Sequence, residues 1–315
     1  MIAIRRMSLA RCIALGAIAI TGLSGCASNT VAPASTEAPA NAPATASAPA
    51  AGPRPLIVAA TGDGPYVEED WTLLPQYFAA EKADGRARYL LHVGDLLKGN
   101  QVYDDAYSRR VAALYRQSSI PVIFVPGDNE WNDEPYPEKV WPIWVRDFMR
   151  FPEQYPDAPV LARQAERPEN IAWLDEGVLF IGINLVGGRM HDVEEWGYRH
   201  RANADWVDHN LAALGAEAYA AIVFAQAAPR RMHEDFFRRF VPAVEAFGKP
   251  VLYLHGDGHV WELEEGWRVP NLTRVQVDQV NYGRPVHIAV SPHRPQAPFS
   301  YDRHGAGPVN QEGTP

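Results

Sequence analysis

The chain has 315 residues, a formal net charge of −9 and two cysteines. That negative balance excludes general nucleic-acid binding as an expectation, because the phosphate backbone repels it, and the cysteine usage excludes a disulfide-stapled fold. About 240 residues lie between a low-complexity N-terminal stretch and a Gly/Pro-rich end, which is enough for one sizeable core.

Arg5, Arg6 and Arg11 precede the apolar run Cys12 to Ile20, which ends in Leu23-Ser24-Gly25-Cys26. A basic start, a short apolar run and small residues are the pattern of an export signal, and the run is too short for a comfortable membrane span. Leu23-Ser24-Gly25-Cys26 resembles the lipobox of bacterial lipoproteins. The resemblance implies that Cys26 becomes a lipid-modified first residue whose acyl chains bind a membrane. Ala27 after it favours the outer membrane of the cell envelope, facing the periplasm. The alternative is an ordinary signal peptide. Residues 27–55, almost all Ala, Pro, Ser, Thr and Asn, cannot bury enough apolar surface to offset ordering entropy. The expected organisation is a signal peptide at 1–25, a disordered tether at 26–55, one folded domain at 56–295 and a flexible tail at 296–315.

Within the domain, Leu56 to Ala60, Tyr89 to Val93 and Pro121 to Val125 are short apolar runs followed by Gly and an acid. Tyr107, Val111 and Leu114 recur at helical spacing between the second and third, with Asp104 placed to cap them. Strands alternating with helices predict a parallel α/β sheet. Val140 to Phe148 predicts a short helix whose aromatics pack over that sheet. Residues 172–174 and 178–183 predict a hairpin turned at Glu176-Gly177. A helix from about Asn203 to Leu214, a strand at 220–224, a helix near 233–247 and a strand at 251–255 follow. Alternating runs at 272–277 and 286–290 close the domain, and these later strands are expected to build a second sheet.

Acids follow these strands in order: Thr61-Gly62-Asp63, Gly94-Asp95, Gly127-Asp128-Asn129-Glu130 and His255-Gly256-Asp257-Gly258-His259. Ligands of such sheets bind beyond the carboxyl ends of the strands, where these acids fall. Carboxylates crowded there need a counter-charge. A metal ion supplies one, and the Lys98 ammonium is the rival.

This succession resembles the calcineurin-like metallophosphoesterase superfamily over roughly residues 56–292. The resemblance implies two facing sheets flanked by helices, a two-metal site at the strand ends and hydrolysis of phosphoesters. Carried over residue by residue, Asp63 matches the first metal-binding aspartate, with Pro65 where a histidine is expected. Asp95 matches the carboxylate that bridges two metals, with Lys98 where the motif has a second aspartate. Asp128 stands for the metal-binding asparagine, Asn129 for the histidine beside the leaving group, and Glu130 is retained. Gln226 falls at the position of an isolated histidine, Asp257 replaces the next one, and His259 matches the last.

The set Asp63, Asp95, Asp128, Asp257 and His259 is oxygen-rich, so one or two ions of Mg²⁺, Mn²⁺ or Ca²⁺ suit it better than Zn²⁺. Asn129, Gln226 and Lys98 are the side chains placed to hydrogen-bond to negative charge developing on a phosphoryl group, and Asp128 joins them as a catalytic residue by holding the metal. The leading expectation is metal-dependent hydrolysis of a phosphate mono- or diester. The alternative keeps the fold as a non-catalytic binding module, with Ca²⁺ or a cationic ligand in the acidic pocket and residues 131–155 gripping a partner. A scaffold with an accidental acid cluster is the third. His255, which closes an apolar strand, reads as a core residue.

Overall fold

The computed structural model describes residues 54–305. The export segment, Cys26, most of the tether and residues 306–315 lie outside the described residues. Among the described residues no helix is long and apolar enough to cross a membrane.

Leu56–Thr61 (β1), Leu90–His92 (β2) and Val122–Phe124 (β3) run parallel, as the repeated apolar-Gly-acid pattern predicts. Asp70–Asp84 (α1) and Asp105–Tyr115 (α2) connect them. The Asp104 side chain accepts the Tyr107 N–H, the cap read from sequence. Sequence periodicity gave α1 no residues, because its buried face includes a carboxylate, Glu81, beside Leu74 and Phe78. Pro137–Trp144 (α3) continues into a π-turn at Val145–Met149, and Trp144 and Phe148 pack on Phe124 as expected of this aromatic segment.

The second sheet runs in the order Ala162–Arg163 (β4), Ile171–Asp175 (β5), Val178–Gly182 (β6), Ala220–Phe224 (β7), Val251–His255 (β8), Leu272–Gln276 (β10) and Glu262–Glu264 (β9). β5 and β6 form the hairpin at Glu176-Gly177, both left-handed at φ 47° and 79°. The helix expected from Asn203 starts ten residues earlier, as Val193–Leu214 (α4), capped by Asp192. Its first turns bury Arg199 and His200, and these polar positions hide the apolar stripe. Glu234–Phe247 (α5) lies beside it.

Two expectations need correcting. Val286–Val290 (β11) pairs with β1 in the first sheet, antiparallel, and not with the later strands. Val286, Ile288 and Val290 point into the layer between the two sheets, which either sheet can supply, so alternation could not decide between them. The segment from 296 does not fray at its start either: Phe299–Asp302 (β12) pairs with β11.

The core has three layers. Between the sheets, Val58, Leu91 and Ile123 face Trp173, Phe180 and Leu252. The outer face of the first sheet packs on α1, α2 and α3, and that of the second on α4 and α5. Strands buried on both faces read as continuous apolar runs, which is why the sequence announces them so clearly. Within each sheet the parallel strands, β1 to β3 in the first and β6, β7, β8 and β10 in the second, end on one edge.

Candidate active site

Three of the four acids leave their strands through strained turns, and Asp128 opens the helical turn after β3. Asp63, Asp95, Asp257 and His259 have φ of 53°, 61°, 67° and 68°. A left-handed non-glycine residue costs roughly 1–2 kcal/mol, and such strain collects at functional sites. Asp63, Asp95 and Asp128 are all 5% exposed or less.

The structure brings these acids together around Asp95. Its Oδ2 accepts the Tyr66 hydroxyl at 3.0 Å and the Gln226 Nε2–H at 3.1 Å, and its Oδ1 accepts the Asn129 N–H at 3.3 Å. Tyr66 also reaches Asp63 Oδ1 at 3.3 Å, and Gln226 also reaches Asp128 Oδ1 at 3.2 Å. The Gly187 N–H donates to Gln226 Oε1 at 2.7 Å, which fixes the amide orientation and aims its NH₂ at the two carboxylates. Asp257 donates its N–H to Asp63 Oδ1 at 3.1 Å. Its own Oδ2 accepts from Ala228 N and pairs with the Arg230 guanidinium, both at 3.2 Å. His259 Nε2 lies 3.7 Å from Asp63 Oδ1.

Burial pushes the Asp63, Asp95 and Asp128 carboxyls up from the usual range, and for Asp63 and Asp128 the neighbouring Asp95 charge adds to it. Burial holds Asp257 at about 6 despite Arg230, and lowers His259. Glu130 braces the turns by accepting Gly127 N–H at 2.5 Å and Leu96 N–H at 3.2 Å, and burial followed by Asp95 raises it to about 8.

Of the other expected residues, Lys98 is exposed and makes no ion pair with Asp95 or Asp128, so it does not fill the space between them. It does act on His259 electrostatically, as does Arg230. Asn129 contributes its backbone N–H, while its side-chain oxygen lies against Gly99. His255 is a core residue, its Nδ1 2.8 Å from Gly256 O. Sequence reasoning missed Tyr66, Arg230 and Gly187. Tyr66 lies one residue past Pro65, but nothing local marked its hydroxyl as the bridge.

The pocket holds one buried acid oxygen without a partner, and protein groups fill its other gaps. Asp63 Oδ2 is buried with no hydrogen-bond partner, the mark of a carboxylate short of a positive neighbour. The Tyr66 hydroxyl donates to both Asp63 and Asp95, and its ring stands edge-on to His259 with centroids 5.5 Å apart. The other gaps are taken: the Gln226 NH₂ sits between Asp95 and Asp128, and Arg230 holds Asp257. Among the described residues, the one group of three His, Asp or Glu side chains with ligand atoms all within 4.8 Å of one another lies elsewhere, at Glu81, His287 and His304, and it is a place where a divalent metal can bind.

The raised carboxyls set a pH dependence. Glu130 is raised in the fold, so its contribution is fully present below its unfolded value of 4.5 and is lost as pH rises through about 8. The buried His92 and His255 are lowered to about 3, so their opposing contribution is complete above 6.5. In chelator, unfolding free energy from urea melts should therefore fall between pH 6.5 and 8, by about 1.4 kcal/mol per pH unit from Glu130 alone. Glu130→Gln should flatten that limb; an unchanged slope would show that Glu130 is ionised throughout.

A cleft of about 480 Å³ opens between Trp131, on the same turn as Asp128, and Trp141 and Glu138 of α3, and none of the pocket acids lines it.

No family model matches the sequence, and no curated protein does. Among solved structures, GAP50, described as the anchor in the inner membrane complex of Plasmodium, is similar with a TM-score of 0.50 at 14% identity, over 74% of this chain and 75% of that one. A 5'-nucleotidase from Candida albicans gives 0.47 at 12% identity, over 78% of this chain and 51% of that one. Purple acid phosphatase from yellow lupin gives 0.45 at 14%, over 71% and 44%. The chain spans about half the length of these last two. Two mixed sheets packed face to face under helices, with acids at one strand edge, make this the calcineurin-like phosphoesterase fold.

Proposed function

We propose that the acidic pocket hydrolyses phosphoesters with one divalent cation, held by Asp63, Asp95 and His259. The observation that carries this is the buried, unpartnered Asp63 Oδ2 beside a second buried carboxylate, an arrangement a hard cation relieves. Such an ion would polarise a phosphoryl oxygen and supply an acidic water near neutral pH. The protein's own groups do the rest. Gln226, locked by Gly187, keeps Asp95 and Asp128 in register. Arg230 and Lys98, the two cations that act on His259, flank the pocket and attract the phosphate and the charge that grows on it. Asp257, held at about 6, is the group able to give a proton to the leaving oxygen below that pH. The cleft at Trp131 and Trp141 would take an organic part of the substrate.

Chelator-treated full-length protein, titrated with Mg²⁺, Mn²⁺ or Ca²⁺, is expected to bind one equivalent in this pocket and to turn over an activated aryl phosphodiester. Absence of both binding and turnover would sink the proposal.

A second reading, a non-catalytic binding module, draws support from one observation. Tyr66, Gln226 and Arg230 already hold one oxygen on each of Asp63, Asp95, Asp128 and Asp257. GAP50, with the same fold, is described as an anchor. Metal binding without turnover would favour it. In either case the reading keeps Cys26 as a lipid attachment point that holds the domain to an envelope membrane. Metabolic labelling with a fatty acid, lost on Cys26→Ser, tests that.

A further inference from the structure

On the helix-covered face of the first sheet, three ligand-type side chains from three separate elements meet. Glu81 comes from the last turns of α1, His287 from the second position of β11, and His304 from just beyond β12. Glu81 and His287 side chains are each 2% exposed and that of His304 is 9% exposed. Glu81 Oε2 lies 2.7 Å from His287 Nε2, while Arg284 holds Oε1 at 3.4 Å. The His304 ring stands edge-on to His287, centroids 4.4 Å apart at 83°. Its Nε2 is buried with no hydrogen-bond partner among the described residues.

A hydrogen-bonded Glu–His pair accounts for two of these groups and leaves the third unexplained. Burying an imidazole nitrogen without a partner is costly, and nothing in an ion-pair network requires a second histidine at the same spot. Ligand atoms from all three already lie within 4.8 Å of one another.

We propose that Glu81, His287 and His304 form a zinc site that fastens the C-terminal segment to α1 and β11. Two imidazoles and one carboxylate are a zinc donor set, softer than the oxygen-rich pocket at the strand ends and selective against Mg²⁺ and Ca²⁺. A metal-bound histidine needs an acceptor for its other N–H. Asp84 Oδ2 stands 3.7 Å from His287 Nδ1. Arg86, which pairs with Asp84, lies 3.5 Å from the same nitrogen. Loading the site moves the His287 proton from Nε2 to Nδ1, which then turns from Arg86 to Asp84. The Glu81–His287 contact must open only from 2.7 Å to about 3.3 Å, the spacing of ligands around a tetrahedral ion with bonds near 2 Å. The site is separate from the acidic pocket: His287 is the register partner of Ala59, four residues and so roughly 13 Å before Asp63 along β1.

The test uses full-length protein stripped with chelator and titrated with Zn²⁺ alone in excess Mg²⁺, with zinc-edge X-ray absorption of the loaded sample. The expected result is one tightly held equivalent, a shell containing two histidine nitrogens, and a thermal midpoint raised by zinc. His304→Ala, beyond the last strand, should weaken zinc at least about tenfold. His304→Cys should restore it, which separates ligation from folding, and Asp95→Asn should leave it unchanged. No stoichiometric zinc, affinity indifferent to His304→Ala, or loss with Asp95→Asn would each overturn the proposal.

Discussion

Asp95→Asn is expected to lower kcat/KM for an activated aryl phosphodiester about a thousandfold, equivalent to about 4 kcal/mol of transition-state stabilisation. Asparagine has the shape of aspartate and tolerates the left-handed backbone at φ 61°, so the substitution removes the charge and turns one of the two acceptor oxygens into an NH₂. The charge is what matters, because Asp95 is where the Tyr66, Gln226 and Asn129 donors converge and is one of the carboxylates that would hold the cation. Burial already opposes ionisation of this carboxyl, so its neutral replacement should leave the urea midpoint in chelator nearly unchanged or slightly higher. Activity and stability therefore separate. A variant that loses both in proportion would make Asp95 a structural residue, and one that keeps turnover would move the chemistry elsewhere.

The parts of the fold that the sequence announces are those decided locally or by burial on both faces. The runs at β1, β2 and β3, the Glu176-Gly177 hairpin and the Asp104 cap each rest on a few adjacent residues. The acids Asp63, Asp95, Asp128 and Asp257 were legible for the same reason: each directly follows a strand, and parallel strands end on one edge. The occupants of the spaces between them were not. Tyr66 bridges to Asp95 across 29 positions, and Gln226 to Asp95 across 131. Only the closed fold decides whether such a gap holds a hydroxyl, an amide or a metal. Lys98 illustrates the converse, since its position in the motif suggested a place between carboxylates and its side chain points to solvent. The Glu81, His287 and His304 group was hidden because it joins a helix without a clear stripe, a strand assigned to the other sheet and a segment expected to fray.

Gly127→Ala should destabilise the domain by about 3 kcal/mol or more and lower its thermal midpoint by about 6–12 °C. The reason is contact, not backbone freedom, since Gly127 is extended at φ −93° and ψ −179°. A Cβ there would lie 2.1 Å from both Asp95 N and Asp95 Oδ1 and 2.7 Å from Asp95 Cα. The opposing backbone cannot retreat easily: Gly94 O accepts Asp63 N–H at 3.1 Å and Asp95 O accepts Gly64 N–H at 2.8 Å, so the loop is pinned to the next strand end. Whatever shift accommodates the methyl moves Asp95 relative to Asp63. A displacement near 1 Å costs about a hundredfold in rate, so activity should fall even at temperatures where the variant stays folded. Gly85→Ala is the control. Its Cβ would meet nothing within 4 Å, and the penalty is confined to the left-handed φ of 65° at the end of α1, about 1 kcal/mol with activity intact. Equal melting shifts for the two variants, or a Gly127→Ala protein as stable as the parent, would show that the loops after β2 and β3 do not cross this closely.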